Sequence, residues 1–330
     1  MRPETPHILA VRHAVRDWLD RFPHDRLAVA LSGGADSLAL TAAAVAEAQS
    51  VRALVVDHRL QEGSAAVARS AAQCALELGC IEAEVLTVSV GTVGGMEAAA
   101  RRARYDALDT ARAGMPVLLG HTLDDQAETV LLGLSRGSGG RSIQGMRDYD
   151  DPWGRPLLKV RRDTTHRACV DLGVQPHQDP HNERSEFTRV RLRAEVLPLL
   201  DDVLGGGVAA ALARTGEQLR EDGDVLDHLA HQLAESAAVD DQLDVAVLQS
   251  APPALRRRAI RVWLLRGGAT SLTAEHLYGI DRLVSHWRGQ GGVAVPGGTP
   301  EARLVTSRSR GRLILGLQVD DRYVDSREID

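Results

Sequence analysis

Apolar runs alternate with helix-like segments over the first 135 residues, and this alternation most constrains the fold. The apolar runs occupy residues 27–31 (LAVAL), 51–57 (VRALVVD), 85–90 and 116–120 (PVLLG). Strands that are apolar throughout are typical of a parallel sheet whose two faces are covered by crossover helices. The sequence therefore predicts an α/β fold, and ligands of such sheets bind at the carboxyl ends of the strands.

The second part of the chain has a different organisation. Three glycines at 205–207 interrupt the chain, and an amphipathic segment at about 208–237 follows, which we interpret as a linker helix. Beyond it we predict a small α+β domain, with helices at 253–266 and 273–287 and strands at 293–295, 302–305 and 313–317. A chain of 330 residues has room for two domains. We predict an α/β domain over 1–205, and the linker helix with the smaller domain over 206–330.

Composition excludes several classes of protein. The net charge of −6 argues against a globally basic nucleic-acid-binding protein, and four Trp, four Tyr and two Phe are few for a base-stacking sheet. No apolar run approaches the ~18 residues of a membrane helix. The N-terminal residues also lack the apolar core and cleavage site of a signal peptide. We therefore expect a cytoplasmic protein without a membrane partner.

The three cysteines, Cys74, Cys80 and Cys169, form no CxxC pair and no metal-ligand spacing. Their odd number argues against a disulfide framework in a chain of this length. We interpret them as buried or incidental thiols, and we predict no metal-ligating residues.

The segment SGGADS at 32–37 lies between the first strand and the following helix. Its glycines allow a sharp turn that brings backbone N–H groups close to an anion, and the helix start adds a positive dipole end. Neither a Walker lysine nor a GxGxxG pattern accompanies it. The segment predicts a phosphate-binding loop made of Ser32, Gly33, Gly34, Ala35, Asp36 and Ser37.

The segment HTLDDQAET at 121–129 follows the fourth strand directly. Thr122 and Asp125 fit a capping box, which is a purely structural interpretation. Asp125, Glu128 and Thr129 also share one helix face, at the strand end where a ligand would bind. Two carboxylates there are able to hold an amine and accept its proton. Both interpretations remain open at this point.

Several motifs carry a resemblance to a known family. SGGADS resembles the pyrophosphate loop of the ATP pyrophosphatases (PP-loop enzymes with a HUP-like sheet), and HTLDDQAETVLLGLSRGSGG resembles the HHxDDQxET…RGxG block of the tRNA(Ile)-lysidine synthases. Further blocks follow in order: VVDHRLQEGS, MEAAARRARYDAL, RPLL at 155–158, DPHN at 179–182 and FTRVRLRAEVLPLL. The resemblance covers about residues 27–200, and it departs from the family at Arg59, Thr122 and Val190.

The resemblance implies a two-step ligation with ATP and Mg²⁺. The wobble cytosine of a tRNA(Ile) with a CAU anticodon is first adenylated on oxygen 2, and pyrophosphate leaves. The ε-amine of L-lysine then attacks carbon 2, and AMP leaves to give lysidine. The sequence leaves the oligomeric state open, a homodimer included.

The resemblance also assigns roles to individual residues. It implies catalytic roles for Asp36, Arg101, Asp125, Glu128 and Arg193, with Arg189 ranked after Arg193. The pyrophosphate loop binds ATP, and the adenosine pocket is bordered by three residues at strand ends, Ala30, Asp57 and His58.

Arginine clusters mark the second domain, at Arg256, Arg257 and Arg258 and over 303–312. Local basic clusters on an acidic protein suggest directed phosphate contacts, although a charge run is more often a solvated helix face. On the family resemblance we predict that the region after Gly207 recognises tRNA and performs no chemistry.

Three alternatives remain at this stage. A tRNA thiolase of the PP-loop group would need paired cysteines, and an amide-forming synthetase would not explain DDQAET together with FTRVRLR. A nucleotide-binding sensor of the universal-stress type would have no use for SGGADS. Pyrophosphate release that depends on both tRNA and lysine separates them.

Overall fold

The computed structural model describes residues 4–59, 63–89, 91, 95–135, 139–177, 188–299 and 301–319. Within the chain two compact units form, one from 1–132 and 145–215 (the first unit) and one from 133–144 and 216–330 (the second unit). The predicted boundary at 205/206 lies ten residues before the division at 215/216. The DPHN segment at 179–182 falls outside the described residues.

The first unit is built on a six-stranded, mostly parallel sheet. Its strands are β1 (Arg26–Ala30), β2 (Ser50–Asp57), β3 (Glu82–Thr87), β4 (Val117–Leu119), β5 (Tyr149–Asp150) and β6 (Trp153–Gly154). They lie in the order β3-β2-β1-β4-β6-β5, and only the β5–β6 pair is antiparallel. The predicted α/β class is confirmed, because β1 and β4 are buried on both faces as their apolar sequences require.

The described helices of the first unit follow, together with a long helix that begins in it and continues into the second unit. They are α1 (Pro6–Arg21), α2 (Ala35–Glu47), α3 (Ser64–Leu78), α4 (Met96–Ala111), α5 (Leu123–Ser135), α6 (Arg162–Leu172), α7 (Thr188–Arg191), α8 (Leu197–Leu204) and α9 (Val208–Ala237). The long helix predicted at 208–237 is α9. Among the described residues no single helix is both long and apolar enough to cross a membrane. One bent pair, Thr188–Leu204 with Val208–Ala237, has the length and apolar composition for it.

The strand order creates a switch point between β1 and β4. From β1 the chain proceeds to β2 and β3 on one side, and it returns to β4 on the other side. Ligands of open α/β sheets bind in the crevice at such a point, beyond the carboxyl ends of the strands. Ala30, the last residue of β1, pairs with Leu119, the last residue of β4. The loops that follow them, SGGADS and HTLDD, are therefore neighbours.

The second unit contains a five-stranded antiparallel sheet. Its strands are β7 (Ala238–Val239), β8 (Gln242–Asp244), β9 (Val293–Thr299), β10 (Ala302–Ser309) and β11 (Arg312–Val319), in the order β7-β8-β11-β10-β9. Three helices pack with it, α10 (Val245–Ser250), α11 (Pro253–Arg266) and α12 (Ala274–Ser285). The predicted α+β domain is confirmed, but its three predicted strands are longer than expected, and β7 and β8 were not predicted.

Two arginines of the predicted phosphate-binding clusters have structural roles instead. Arg256 is buried, and its Nε and Nη2 donate to the two carboxylate oxygens of Asp281 at 2.6 and 3.2 Å. Arg308 donates to the backbone oxygens of Leu283 and Val284 near the end of α12. Because these groups are already satisfied within the fold, the three arginines at 256–258 do not act as one cluster.

Candidate active site

The SGGADS loop is held in a tight turn at the carboxyl end of β1. The hydroxyl of Ser37 donates to the backbone oxygen of Gly34 at 2.9 Å and lies 3.1 Å from the hydroxyl of Ser32. Gly33 has φ +82°, a conformation that favours glycine, and the backbone N–H of His177 donates to its oxygen at 2.9 Å. Gly34 precedes the first residue of α2, so the loop presents N–H groups and two hydroxyls at a helix N-terminus.

The end of β4 packs closely against this loop. A Cβ at Gly120 would lie only 3.0 Å from the backbone carbon of Asp36 and the backbone nitrogen of Ser37. Only glycine permits this approach without a shift of the backbone. This close approach at Gly120 brings the HTLDD turn next to the phosphate-binding loop, as the strand order requires.

Arg162 joins the two loops. Its Nη2 lies 2.6 Å from Oδ1 of Asp125, and its Nε lies 3.2 Å from Oδ2 of Asp36. Its Nη1 lies 3.5 Å from Oε1 of Glu128. Thr165, one turn further along α6, donates its hydroxyl to the other oxygen of Asp36. One guanidinium therefore contacts three carboxylates that come from two separate motifs.

The start of α6 is itself oriented by the HTLDD turn. Asp124 accepts a hydrogen bond from the backbone N–H of Arg162 at 2.8 Å, and its carboxylate forms an ion pair with Arg161. The backbone N–H of Leu123 donates to the oxygen of Val160 at 2.9 Å. Asp124 thus caps α6, and this cap helps to place Arg162 between the two loops.

Glu128 is fully buried and is clamped by a second arginine. Nε and Nη2 of Arg193 lie 2.8 and 3.2 Å from its two carboxylate oxygens. Arg189 lies 3.6 Å away and also contacts the hydroxyl of Thr129 at 3.4 Å. The predicted grouping of Asp125, Glu128 and Thr129 on one helix face is therefore present, and arginines face it.

Arg193 lies in a π-helical turn, Leu192–Val196, between α7 and α8. The backbone N–H of Leu197 donates to the oxygen of Leu192, five residues earlier. Pro198 has no N–H to continue the α-helical ladder, which favours this wider turn. Such turns are frequent at functional sites, and here the turn carries the arginine that binds Glu128.

Asp36 and Asp125 have pKa values shifted in opposite directions, although the same arginine contacts both. Burial raises the pKa of Asp36, and this outweighs the opposing effects of Arg162 and Thr165. Burial also raises the pKa of Asp125, but Arg162 and the hydrogen bonds from Thr122 lower it by more. Asp125 is therefore ionised well below neutral pH, with its negative charge paired to Arg162.

The capping interpretation of Thr122 is correct in part. Asp125 Oδ2 accepts from both the backbone N–H and the hydroxyl of Thr122, each at 2.8 Å. Its other oxygen, Oδ1, accepts from Arg162. Asp125 thus caps its own helix with Oδ2, while Oδ1 and the carboxylate of Glu128 both contact Arg162; Asp125 and Glu128 form the acidic cluster. The capping interpretation and the ligand-binding interpretation are therefore compatible.

The residues predicted for the adenosine pocket lie at the expected sheet edge. Ala30 ends β1 and is buried, and His58 follows β2, the neighbouring strand. The Nδ1 atom of His58 is buried and has no hydrogen-bond partner among the described residues. Asp57 accepts from the backbone N–H of Arg59 at 3.0 Å, so it shapes the turn. Their contact with a nucleotide remains a prediction.

Arg101 is not part of the acidic cluster. Its guanidinium lies 4.9 Å from the ring centre of Tyr105 and 3.3 Å from the Tyr105 hydroxyl. In the described structure no ion pair joins it to Asp125 or Glu128. Its predicted catalytic role remains a prediction, because these contacts are local to α4.

Sequence reasoning missed three residues of this region, Arg104, Arg162 and Thr165. The charge of Arg104 lowers the pKa of both His58, which follows β2, and His121, which follows β4. Burial, and then its neighbour Arg101, lower the pKa of Arg104 itself. The RY dipeptide in the matched helix block was the available signal for Arg104. The RPLL block just before Arg162 was the signal for the other two.

A comparison with protein families matches residues 8–200 to the PP-loop domain and residues 243–314 to the TilS substrate binding domain. With the loop at the switch point of a parallel sheet, this match defines an ATP-utilising PP-loop enzyme. The chain is 67% identical over 317 residues to a tRNA(Ile)-lysidine synthase of Rhodococcus erythropolis, with 96% of this chain and 98% of that protein covered. The chain belongs to the tRNA(Ile)-lysidine synthase family, whose members are enzymes of the ligase type.

A further relative agrees with this placement, and one solved structure shares the fold. A tRNA(Ile)-lysidine synthase of Nocardia farcinica is 67% identical over 311 residues, with 93% of this chain and 98% of that protein covered. Among solved structures, the U34-tRNA thiolase NcsA from Methanococcus maripaludis with its 4Fe–4S cluster has a TM-score of 0.53. It is 18% identical and covers 65% of this chain and 80% of its own, so it shows a shared fold alone.

We expect His121→Gln to make the stability of the protein less dependent on pH. Burial lowers the pKa of His121 to about 3, whereas an unfolded histidine titrates near ~6.5. Between these values the unfolded chain binds a proton that the native state excludes, so stability falls as the pH falls through this window. Glutamine removes that contribution. The measurement is the free energy of unfolding at several pH values.

His166→Gln is the matched control, because His166 is an exposed histidine of the same unit. It should leave the pH dependence as in the wild type. Parallel stability curves for the wild type and His121→Gln would contradict the assignment of a neutral imidazole with a buried Nδ1 at residue 121.

Proposed function

We propose that this chain joins the ε-amine of L-lysine to carbon 2 of the wobble cytidine in a tRNA(Ile) with a CAU anticodon. ATP activates the cytosine by adenylation, and the product is lysidine. The observation that carries the proposal is the acidic cluster of Asp125 and Glu128 beside the PP-loop, to which Arg162 connects it. We also propose that the protein acts in the cytoplasm.

The PP-loop would bind the β and γ phosphates of ATP. Backbone N–H groups of Gly33 and Gly34, the hydroxyls of Ser32 and Ser37, and the start of α2 all favour an anion at this position. Oxygen 2 of the cytosine attacks the α-phosphate, and pyrophosphate departs into the loop. Arg193 and Arg189, which contact Glu128, would stabilise negative charge that develops on the α-phosphate.

The donor set fits Mg²⁺ only as an ion held mainly by the nucleotide. Within the described residues no group of three or more His, Cys, Asp or Glu side chains is placed to hold a metal. Mg²⁺ is commonly held by one or two carboxylates together with substrate phosphates and water. Asp36, in the phosphate loop, is the carboxylate that would hold it. When bound, the ion would offset phosphate charge.

Asp125 and Glu128 would hold lysine for the second step. The lowered pKa of Asp125 keeps it ionised, so it attracts the ε-ammonium group. The amine must lose a proton before its nitrogen attacks carbon 2, and one of these two carboxylates would take it. The amine nitrogen then bonds to carbon 2, the bond from carbon 2 to the adenylated oxygen breaks, and AMP leaves.

The cysteines argue against a sulfur-transfer reaction in this chain. Cys80 and Cys169 are buried, and burial raises their pKa values to about 11 and about 12. The thiolate is the reactive form of cysteine, and these thiols are protonated at neutral pH. Cys169 also donates to the backbone oxygen of Ala35. A thiolase-type reaction therefore has no suitable nucleophile among them.

The test is incubation of the protein with CAU-anticodon tRNA(Ile), ATP and labelled lysine, followed by nucleoside analysis. We expect label in lysidine at the wobble position, and pyrophosphate release that requires the tRNA. A tRNA with uridine in place of the wobble cytidine is the control substrate and should give neither. Label transfer to another nucleotide, or none with the wild-type protein, would contradict the proposal.

A further inference from the structure

The second unit contains a cavity of about 490 Å³ that the proposed reaction does not use. Three segments of that unit line it: the glycine-containing turn 139–142, one face of α11 and the first turns of α12. Since a water molecule occupies about 30 Å³ in the liquid, the cavity has room for a group much larger than a single water.

One face of α11 supplies three arginines to this cavity. Arg257, Arg258 and Arg261 line it; Arg261 lies four residues after Arg257 and three after Arg258, which places it beside both on the helix surface. The opposite side of α11 carries Arg256 and the buried Ile260, which pack into the unit. The helix therefore separates arginines that stabilise the fold from arginines that face the cavity.

One carboxylate, that of Asp227, forms ion pairs with two of the four arginines that line the cavity. Asp227 Oδ1 lies 2.5 Å from Nη2 of Arg141 and also contacts Nη1 of Arg258. Two guanidinium groups thus share one negative charge. This leaves the wall of the cavity with a net positive charge before Arg257 and Arg261 are considered.

Arg257 and Arg261 form only long contacts with their acceptor groups. The carboxylate nearest to Arg257 is that of Asp281, at 3.9 Å, and Arg256 already binds it with two hydrogen bonds. The Nε atom of Arg261 is buried without a hydrogen-bond partner among the described residues, and its Nη1 reaches only the oxygen of Leu272 at 3.5 Å. Both guanidinium groups can accept a new anionic partner.

The rest of the lining also favours an anion. Thr273 caps α12, a helix of twelve residues, and the N-terminal end of such a helix carries a partial positive charge. Glu275, the acid of that first turn, is not among the residues that line the cavity. No atom would contact a Cβ at Gly139 or Gly140 within 4 Å, so the backbone of the turn is open to a ligand.

We propose that this cavity binds a backbone phosphate of the RNA substrate, with Arg257 and Arg261 as its donors. This inference rests on the proposed function, which makes the substrate an RNA. The two non-bridging oxygens of a phosphodiester match the forked donors of two guanidinium groups. A free nucleotide would also need a surface for its base. Tyr278, the aromatic residue of the described lining, is instead covered by Arg257 at 4.8 Å.

The test compares RNA binding by the wild type and by the double variant Arg257→Gln/Arg261→Gln at several salt concentrations. A charge-assisted contact stabilises by more than a neutral one, so we expect roughly tenfold weaker tRNA binding or more. The slope of log affinity against log salt should decrease in magnitude by about 0.7–0.9 for the lost phosphate contact. ATP affinity should not change.

Arg266→Gln is the matched control, because Arg266 lies on the same helix, is exposed and does not line the cavity. It removes one positive charge from the same helix, as each single variant does, and should keep the wild-type affinity and slope. The charge-retaining pair Arg257→Lys/Arg261→Lys should keep most of the slope. If the double glutamine variant does not unfold cooperatively, the two single variants carry the same test.

Wild-type affinity and slope in the folded double variant would overturn the inference, while lysidine formation by the wild type would leave the proposed function intact. A double variant that loses ATP or pyrophosphate binding but keeps RNA binding would overturn it as well. Failure of the wild type to form lysidine would instead contradict the proposed function.

Discussion

Replacing Arg162 by glutamine is expected to abolish lysidine formation and to destabilise the protein. Arg162 contacts Asp36, Asp125 and Glu128, and its removal takes the shared counter-charge from three neighbouring carboxylates, of which, in the described structure, Glu128 alone keeps a close pair, with Arg193. Breaking a buried ion pair costs about 3–5 kcal/mol, and we expect a value near the lower limit because Asp36 is 22% exposed. The measurements are tRNA-dependent pyrophosphate release and the free energy of unfolding in denaturant.

Arg161→Gln is the matched control for this variant. Arg161 is the neighbouring residue, it is half exposed, and it pairs with Asp124. Such a surface pair contributes about 0–1 kcal/mol, so stability and activity should change little. Equal effects of the two substitutions would contradict the assignment of Arg162 as the link between the loops.

A second variant separates the electrostatic role of Arg162 from a packing role. Combining Arg162→Gln with Asp36→Asn removes one of the carboxylates that lost its counter-charge. The double variant should therefore recover part of the stability without recovering activity. Strictly additive losses would show that the two residues are not coupled.

Glu128→Gln is expected to raise the lysine concentration needed for the second step, or to stop that step. Glutamine keeps the size of the side chain and its helix propensity, but it removes the negative charge that would attract the ε-ammonium group. Glu128 is fully buried, whereas Arg193 is 36% exposed, so the unpaired guanidinium retains some access to water. Binding of ATP at the PP-loop should change less. The measurement is the initial rate of lysidine formation against lysine concentration.

Glu195→Gln provides the corresponding control. Glu195 lies two residues from Arg193, and it forms an exposed ion pair with Arg191 at 2.8 Å. The same change from acid to amide at this position should leave the lysine dependence unaltered. A folded Glu128→Gln protein with wild-type rates at low lysine would show that this acid has only a structural role.

The fold of the first unit was predictable because the apolar composition of its main strands indicates that they are buried. The apolar runs of β1 and β4, and residues 53–55 of β2, match strands buried on both faces. Helix α1 was missed, although its signals are present in the sequence. Thr5 caps it, Pro6 occupies its first turn, and Val11, Val15 and Trp18 are buried at helical spacing.

The strands of the second unit were less predictable. The strand predicted at 293–295 continues, as β9, to Thr299 through Gly297, Gly298 and a bulge opposite β10. β10 and β11 pair over eight residues each. Their length comes from cross-strand hydrogen bonds, which local sequence patterns do not report.

The sequence by itself determined where the two loops of the candidate site lie. Ser32–Ser37 and His121–Thr129 each follow an apolar strand, and the carboxyl ends of parallel strands meet at one edge of a sheet. Their proximity thus follows from local patterns and from the handedness of parallel connections.

Only the tertiary structure decided which charges meet. Arg162 is 126 residues from Asp36, and Arg193 is 65 residues from Glu128, so packing alone brings each pair together. The arginines at 256–258 are alike in sequence, yet Arg256 is buried on Asp281 while the next two line a cavity. The physical reason is that each helical residue is rotated by about 100° from the one before. Which side faces the core depends on distant segments of the chain.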